Sequence, residues 1–284
     1  MLNIDKLKQY SIPDSHMTVT KRDTMLYALG VGLGSDPMDR DQLQFVYEQG
    51  LKSLPTMATV VAAPHSWVKK ADVGSSGKSV HAGIMVEFLR PIPVEGEFVG
   101  KSSLGEVLDK GPGKAALVTT SRSVYEVGSA DPVFKLVTTS MLRGDGGFGG
   151  PSQPVEADTA MPTRKPDAIC DMPTLPQQAL IYRLSGDYNP LHADPAVAQK
   201  QGFPRPILHG LGTFGITGHA LIKTLCGYNP DRLKAMGGRF SKPVYPGEML
   251  RIKMWDEGGH VAFQTTVPTR NDEVVLDFGF ARLG

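Results

Sequence analysis

Gly238-Arg239-Phe240-Ser241-Lys242-Pro243-Val244-Tyr245-Pro246-Gly247-Glu248 has an earlier counterpart in the same chain. Met85-Val86-Glu87-Phe88-Leu89-Arg90-Pro91-Ile92-Pro93 sets Phe, a base and Pro at the same spacing and closes on Gly96-Glu97. Upstream of each, in the same order, Leu26-Tyr27-Ala28-Leu29-Gly30 resembles Ile181-Tyr182-Arg183-Leu184-Ser185. One module used twice is the economical reading. Between the copies, Gly144, Gly146, Gly147, Gly149 and Gly150 run into Pro151, Pro154, Pro162 and Pro166. Such a stretch cannot hold a regular hydrogen-bond ladder and reads as a linker. It divides the chain into residues 1–148 and 149–284.

Strand patterns follow both Phe-base-Pro segments. In the first half these are Ala115-Ala116-Leu117-Val118-Thr119-Thr120, Val124-Tyr125 and Phe134-Leu136-Val137, with turn signals at Gly128 and Asp131-Pro132. In the second, Leu250, Ile252 and Met254 alternate with Arg251 and Lys253. Val261-Phe263-Thr265 and Val274-Leu276-Phe278 follow, parted by a turn at Asn271-Asp272. This is the period of antiparallel strands. One helix is expected from Asp194-Pro195, cap and first turn, to Gly202. Another runs from Gly210 to Cys226, where small residues allow close packing on a sheet. Each half then reads as one helix wrapped by antiparallel strands, an α+β arrangement.

Composition narrows the function. The 284 residues carry 30 basic and 29 acidic side chains, a net charge of +1, which argues against nucleic acid as a partner. No apolar run is long enough for a transmembrane helix, and the first residues lack a secretion signal. The tail Ala281-Arg282-Leu283 resembles a peroxisomal tripeptide, but Gly284 follows it, so the expected location is the cytoplasm. Two cysteines, Cys170 and Cys226, provide neither a disulfide framework nor a thiolate metal site.

Reactive residues concentrate in Gly186-Asp187-Tyr188-Asn189-Pro190-Leu191-His192-Ala193-Asp194. Pro190 prevents Asp187 and His192 from sharing one helix face. A bend at Gly186 and Asn189-Pro190 can instead bring carboxylate and imidazole to one point, a general acid and base near neutral pH. The same residues would also suit a turn capped by Asp187 beside a structural histidine. A metal site through His192 and Asp194 lacks further ligands at the usual spacing, and none is expected. Downstream, Leu208-His209-Gly210-Leu211-Gly212 offers free backbone N–H groups at a helix start, suited to an anionic oxygen. Close packing would use the same glycines. His209 reads as structural or as a support to its neighbours. Gly30-Val31-Gly32-Leu33-Gly34 lacks the spacing and preceding strand of a dinucleotide loop.

Gly186 to His192, then Gly202-Phe203 and Pro206-Ile207-Leu208-His209-Gly210-Leu211, resembles the signature of the type 2 enoyl-CoA hydratases, MaoC-like dehydratases with the hotdog fold. The resemblance continues through Arg239 to Gly247. It is looser at Phe45-Val46-Tyr47-Glu48, Leu54-Pro55-Thr56 and Pro91-Ile92-Pro93. It implies a double hotdog, two antiparallel sheets each around a central helix, pseudo-dimeric within one chain. It also implies reversible addition of water to trans-2-enoyl-CoA, giving the (3R)-3-hydroxyacyl-CoA. Asp187 and His192 would activate the water, Asn189 would orient them, and the Gly210 N–H would hold the thioester oxygen, with Gly212 alongside. Arg90 and Lys242, adjacent to the repeated Pro, are candidates to face CoA phosphates, the alternative being bases beside a strand that are only solvated. No metal or redox cofactor is implied. The first half lacks the Asn-Pro-Leu-His run and would give room to the acyl chain. The signature does not separate straight from branched, dicarboxylic or steroid side-chain substrates. A non-catalytic acyl-CoA binder and a hotdog thioesterase are the competing readings, against which the Asp187-Asn189-His192 set speaks. Further pairing of chains into a homodimer is compatible with either.

Overall fold

The computed structural model describes residues 1–64, 67–74, 79–153 and 160–284. Ten strands form one sheet: β1 (Ser15–Val19), β2 (Ser79–Phe88), β3 (Gly96–Asp109), β4 (Ala115–Glu126), β5 (Phe134–Arg143), β6 (Ala168–Pro173), β7 (Leu233–Phe240), β8 (Met249–Asp256), β9 (Val261–Val267) and β10 (Glu273–Leu283). Their spatial order is β1-β3-β4-β5-β2-β7-β10-β9-β8-β6. Read from either edge inward, each half has the same order: first, third, fourth, fifth, second. The repeat seen in the sequence is therefore a repeat of topology. The halves meet where β2 and β7 pair antiparallel, Gly83 opposite Arg239 through Glu87 opposite Ala235. That seam leaves no free edge between the halves, and their apolar faces merge into one core containing Val86, Phe134, Phe214, Met236 and Phe263.

The helices are α1 (Ile4–Gln9), α2 (Lys21–Gly30), α3 (Arg40–Leu43), α4 (Trp67–Ala71), α5 (Gln178–Tyr182), α6 (Pro195–Lys200) and α7 (Gly210–Cys226). Asp194 caps α6, accepting from the Ala196 N–H at 2.8 Å. α7 is the central helix of the second half and is buried along nearly its whole length. Its glycines permit close approach: a Cβ at Gly215 would lie 2.5 Å from Val31 Cγ1, and one at Gly218 would lie 2.4 Å from Thr56 Cγ2. Both contacts come from the first half.

Two expectations need correction. Among the described residues, the first half has no continuous central helix. Pro55–Thr59 makes a short 3-10 helix, the chain turns at Ala62 with φ 45°, and the next described helix is the five-residue α4. Pro55 starts the turn, and the positive φ at Ala62 cannot continue a helix. Secondly, Ala115–Thr120 and Val124-Tyr125 belong to one strand, β4, whose buried residues alternate through Thr120, Arg122 and Val124. The Gly-rich run also differs from a free linker where it is described. Asp109 accepts the N–H groups of Gly111, Gly147 and Gly149 at 2.8, 2.7 and 2.7 Å, fastening the run to the end of β3. These amides hold the Asp109 carboxyl below its usual range. Pro154, within the same run, lies outside the described residues.

Candidate active site

The chain reaches the site through a succession of short turns. α5 passes into a 3-10 turn at Arg183–Ser185, which ends at Gly186 with φ 119°. Only glycine takes that conformation without strain. Asp187 Oδ1 then accepts the Asn189 N–H at 3.2 Å. Asn189 Oδ1 accepts the Leu191 N–H at 3.1 Å, capping the turn Pro190–His192. Thus Asn189 sets the direction in which His192 leaves the backbone.

His192 is 8% exposed. Its Nδ1 lies 2.9 Å from the Ile207 carbonyl oxygen, which can only accept, so Nδ1 carries the proton and Nε2 the lone pair. Burial lowers the His192 pKa below its ordinary value, so the ring is a neutral base near pH 7. His209 stacks on it at 3.7 Å between ring centroids. His209 Nε2 donates to the Asp187 backbone oxygen at 3.1 Å, linking the two candidate residues through a third. Its pKa is pushed down to about 3, chiefly by burial and then by His192. Behind it stand Tyr182, 4.9 Å away, and Tyr27, 6.0 Å from Tyr182. These tyrosines are the matched pair of the sequence repeat. Gly30 and Gly212 let them fit, since a Cβ at either would crowd Tyr182 at 3.2 or 3.4 Å.

The side-chain donor atoms of Asp187, His192 and His209 all lie within 4.8 Å of one another. No hydrogen bond joins Asp187 to His192 directly. Two ordinary hydrogen bonds of about 2.8 Å meeting at one oxygen span such a gap, so a single water fits between carboxylate and imidazole. The set suits a metal ion poorly. Stacked imidazoles hold their in-plane lone pairs in near-parallel planes, whereas tetrahedral coordination needs them to converge on one ion.

Gly210 opens α7 beside this pair. The amides of its first turn have no carbonyl within their own helix. The partial positive charge of the 17-residue helix gathers there. Leu208 N–H donates to the Val244 oxygen at 2.7 Å, fixing the entry to the helix. Gly210 is also short for a reason: a Cβ there would meet the Phe240 ring at 3.4 Å.

These groups share a cavity of about 880 Å³. Asp187, Asn189, His192, Gly210 and Lys242 border it, and it continues along Thr59, Val60, Trp67 and Val68 of the first half. The interrupted helix thus leaves open the space that a second α7 would fill. Gly212 is buried beneath the first turn and also packs on Tyr182. Arg90 stands apart. It pairs with Glu126 at 2.5 Å and borders a separate depression of about 260 Å³ with Lys52, Pro93 and Lys234. Arg90 and Lys242 hold equivalent positions in the repeat but border different cavities, each lined by residues of both halves.

Two participants, His81 and Arg122, escaped the sequence reading. His81, on β2, lines the cavity and is exposed there. Desolvation by the surrounding protein lowers its pKa, against the opposing pull of the Asp187 carboxylate. Tyr182 supports His209, and Arg122 lies in the cavity wall at 5% exposure. Only Arg122 had a visible signal: a charge at an inward position of an alternating strand.

A family model described as MaoC like domain matches residues 157–276, and one described as MFE-2 hydratase 2 N-terminal domain matches residues 17–144. The chain is 39% identical over 294 residues to "Enoyl-CoA hydratase 2, peroxisomal" of Arabidopsis thaliana, covering 97% of this chain and 94% of that one. It is 39% identical over 269 residues to "3-hydroxyacyl-thioester dehydratase Y" of Mycobacterium tuberculosis, covering 92% and 91%. The crystal structure of a MaoC-like dehydratase from Phytophthora capsici superposes with a TM-score of 0.88 at 32% identity, covering 100% and 98%. The chain belongs to the MaoC-like dehydratases, as a double hotdog. Within that family it is a type 2 enoyl-CoA hydratase.

Proposed function

We propose that the protein adds water reversibly across the double bond of a trans-2-enoyl-CoA and forms the (3R)-3-hydroxyacyl-CoA. The observation that carries this reading is the convergence of the Asp187 carboxylate, His192 Nε2 and the start of α7 on one cavity. Water held between Asp187 and His192 attacks the β-carbon. The pair takes one proton from the water and returns one to the α-carbon, so that one water is added in all. Negative charge that develops on the thioester oxygen meets the Gly210 N–H. A preorganised donor of this kind is worth about 10²–10³ in rate.

In this reading residues 149–284 form the hotdog that carries the chemistry, and residues 1–148 form the degenerate hotdog that receives the acyl chain. Lys242 contacts CoA phosphate. Asn189 and Gly212 act by shaping the turn and the helix start. Residence in the cytoplasm belongs to the same reading, and cell fractionation tests it against a peroxisomal location such as the Arabidopsis relative's name states. Among the described residues no helix is long and apolar enough to cross a membrane.

The test is a chain-length series of trans-2-enoyl-CoAs, followed by loss of the enoyl-thioester absorption, with chiral analysis of the product. The R alcohol is expected. Release of free CoA without hydration would replace the reading with a thioesterase, and an S product would reverse the proposed face of attack.

A further inference from the structure

The wall of the acyl cavity contains a cation that a hydrocarbon tail would leave unused. β4 turns Ala116, Val118, Thr120, Arg122 and Val124 inward, so Arg122 takes a place that the pattern reserves for an apolar side chain. One guanidinium nitrogen, Nη2, donates to the carbonyl oxygens of Ala58 and Thr59 at 3.0 and 3.4 Å, where the interrupted helix ends. Its Nε is buried without a partner. Directly across the strand pair lies Ser102, whose Oγ is likewise buried without a partner. Both side chains border the same cavity as Asp187 and His192, and Thr120 and Thr138 add hydroxyls nearby.

No carboxylate forms an ion pair with Arg122 among the described residues. Burial alone lowers its pKa, to about 9, which leaves it charged at neutral pH. Bracing two carbonyls accounts for one nitrogen of the guanidinium. It does not account for the open Nε, the open Ser102 hydroxyl or the uncompensated charge. Buried donors without acceptors are rare in native proteins and call for a partner. An arginine fork favours a planar pair of oxygens over any other acceptor.

We propose that Arg122 and Ser102 form an acceptor-binding subsite within the acyl cavity, so that the preferred enoyl thioester carries an oxygen acceptor, a carboxylate foremost, on its acyl tail. This rests on the hydratase reading above and specifies its substrate class. A methyl-ended chain leaves the same donors dry and unpaired, and is the poorer substrate for that reason.

Kinetics with trans-2-enoyl-CoAs matched in length and ending in methyl, hydroxyl or carboxylate, over several lengths, test the subsite. The carboxylate-ended series is expected to exceed the methyl-ended series by about 10- to 100-fold in kcat/KM, mostly through KM, at the length that reaches Arg122. Arg122→Leu should abolish that ratio and Arg122→Lys should keep part of it. A best substrate ending in hydroxyl would retain the acceptor subsite with a neutral ligand. Equal or better turnover of methyl-ended chains at every length by the unmodified protein would overturn the proposal, whether or not the variants fold. So would an unchanged ratio in folded Arg122→Leu, which would make an ordered water the partner of Nε. Failure of all three series would instead count against hydration itself.

Discussion

At the level of single residues, the site depends on two histidines with different tasks. His192 presents its lone pair to the cavity, and His209 holds that ring and the Asp187 backbone in place. Asp187→Asn and His192→Gln should each lower kcat by about 10²–10⁴ while leaving the circular dichroism spectrum unchanged. His209→Ala should cost activity without removing a reacting group, so kcat falls while the pH profile keeps its shape. The pH dependence has a definite sign. Because burial depresses the His192 pKa, Nε2 stays free as pH falls through 6.5, and kcat/KM declines only in more acid solution. Stability follows the same logic. His209 and His219 have pKa values of about 3 and about 4 in the folded chain, against about 6.5 when unfolded. Their contribution is complete above pH 6.5 and is lost as pH falls, because the unfolded state then binds protons that the native state refuses. The slope is at most about 1.4 kcal/mol per pH unit for each histidine. Urea denaturation should show a lower midpoint at pH 5 than at pH 7, and an equal or higher one would contradict this burial.

Among the elements, α7 illustrates what a sequence can show and what it cannot. Its bounds, Gly210 to Cys226, were legible because a glycine-rich apolar run follows a loop motif, and α6 was legible from its Asp-Pro start. The partner of its small face was not, because Val31, Tyr27 and Thr56 reach Gly215 and Gly218 only through tertiary folding. Gly218→Ala gains about 1 kcal/mol of helix propensity. The added methyl nevertheless collides with Thr56, and overpacking of this kind typically costs about 1–3 kcal/mol. A lower Tm is expected, and an unchanged or raised one would mean that the Thr56 side chain can move away. The broken helix of the first half also eluded the periodicity. Leu54-Pro55-Thr56 has helix-compatible chemistry at its start, whereas the interruption depends on a backbone conformation at Ala62 that composition does not announce. Within the site, the Asp187 to His192 turn was visible as a motif. His81 was not, and Arg122 showed only as a charge at an inward strand position, because strand pairing brings both from more than 60 residues away in sequence.

For the whole molecule, duplication explains both the single sheet and the single described site. The β2–β7 seam joins two copies of one strand order. One copy keeps its long helix and the Asp-Asn-His turn. The other gives up its helix, and the space forms a cavity against the first. Residues 1–148 and 149–284 expressed separately would each expose an unpaired seam strand and part of the common core. Neither should fold stably alone, and co-expression should restore soluble hydratase if the halves recombine. Gel filtration and activity of the separate and combined halves measure this, and a stable, monomeric second half would show that the seam is dispensable.

The central claim is that Asp187 and His192 hydrate an enoyl thioester at the start of α7. Stereochemical analysis of the product from trans-2-enoyl-CoA, with the unmodified protein and with folded Asp187→Asn in parallel, tests it most directly. The account predicts the (3R)-3-hydroxyacyl-CoA from the first and a rate reduced by at least about 10² in the second. An S product, or equal rates from both proteins, would contradict it.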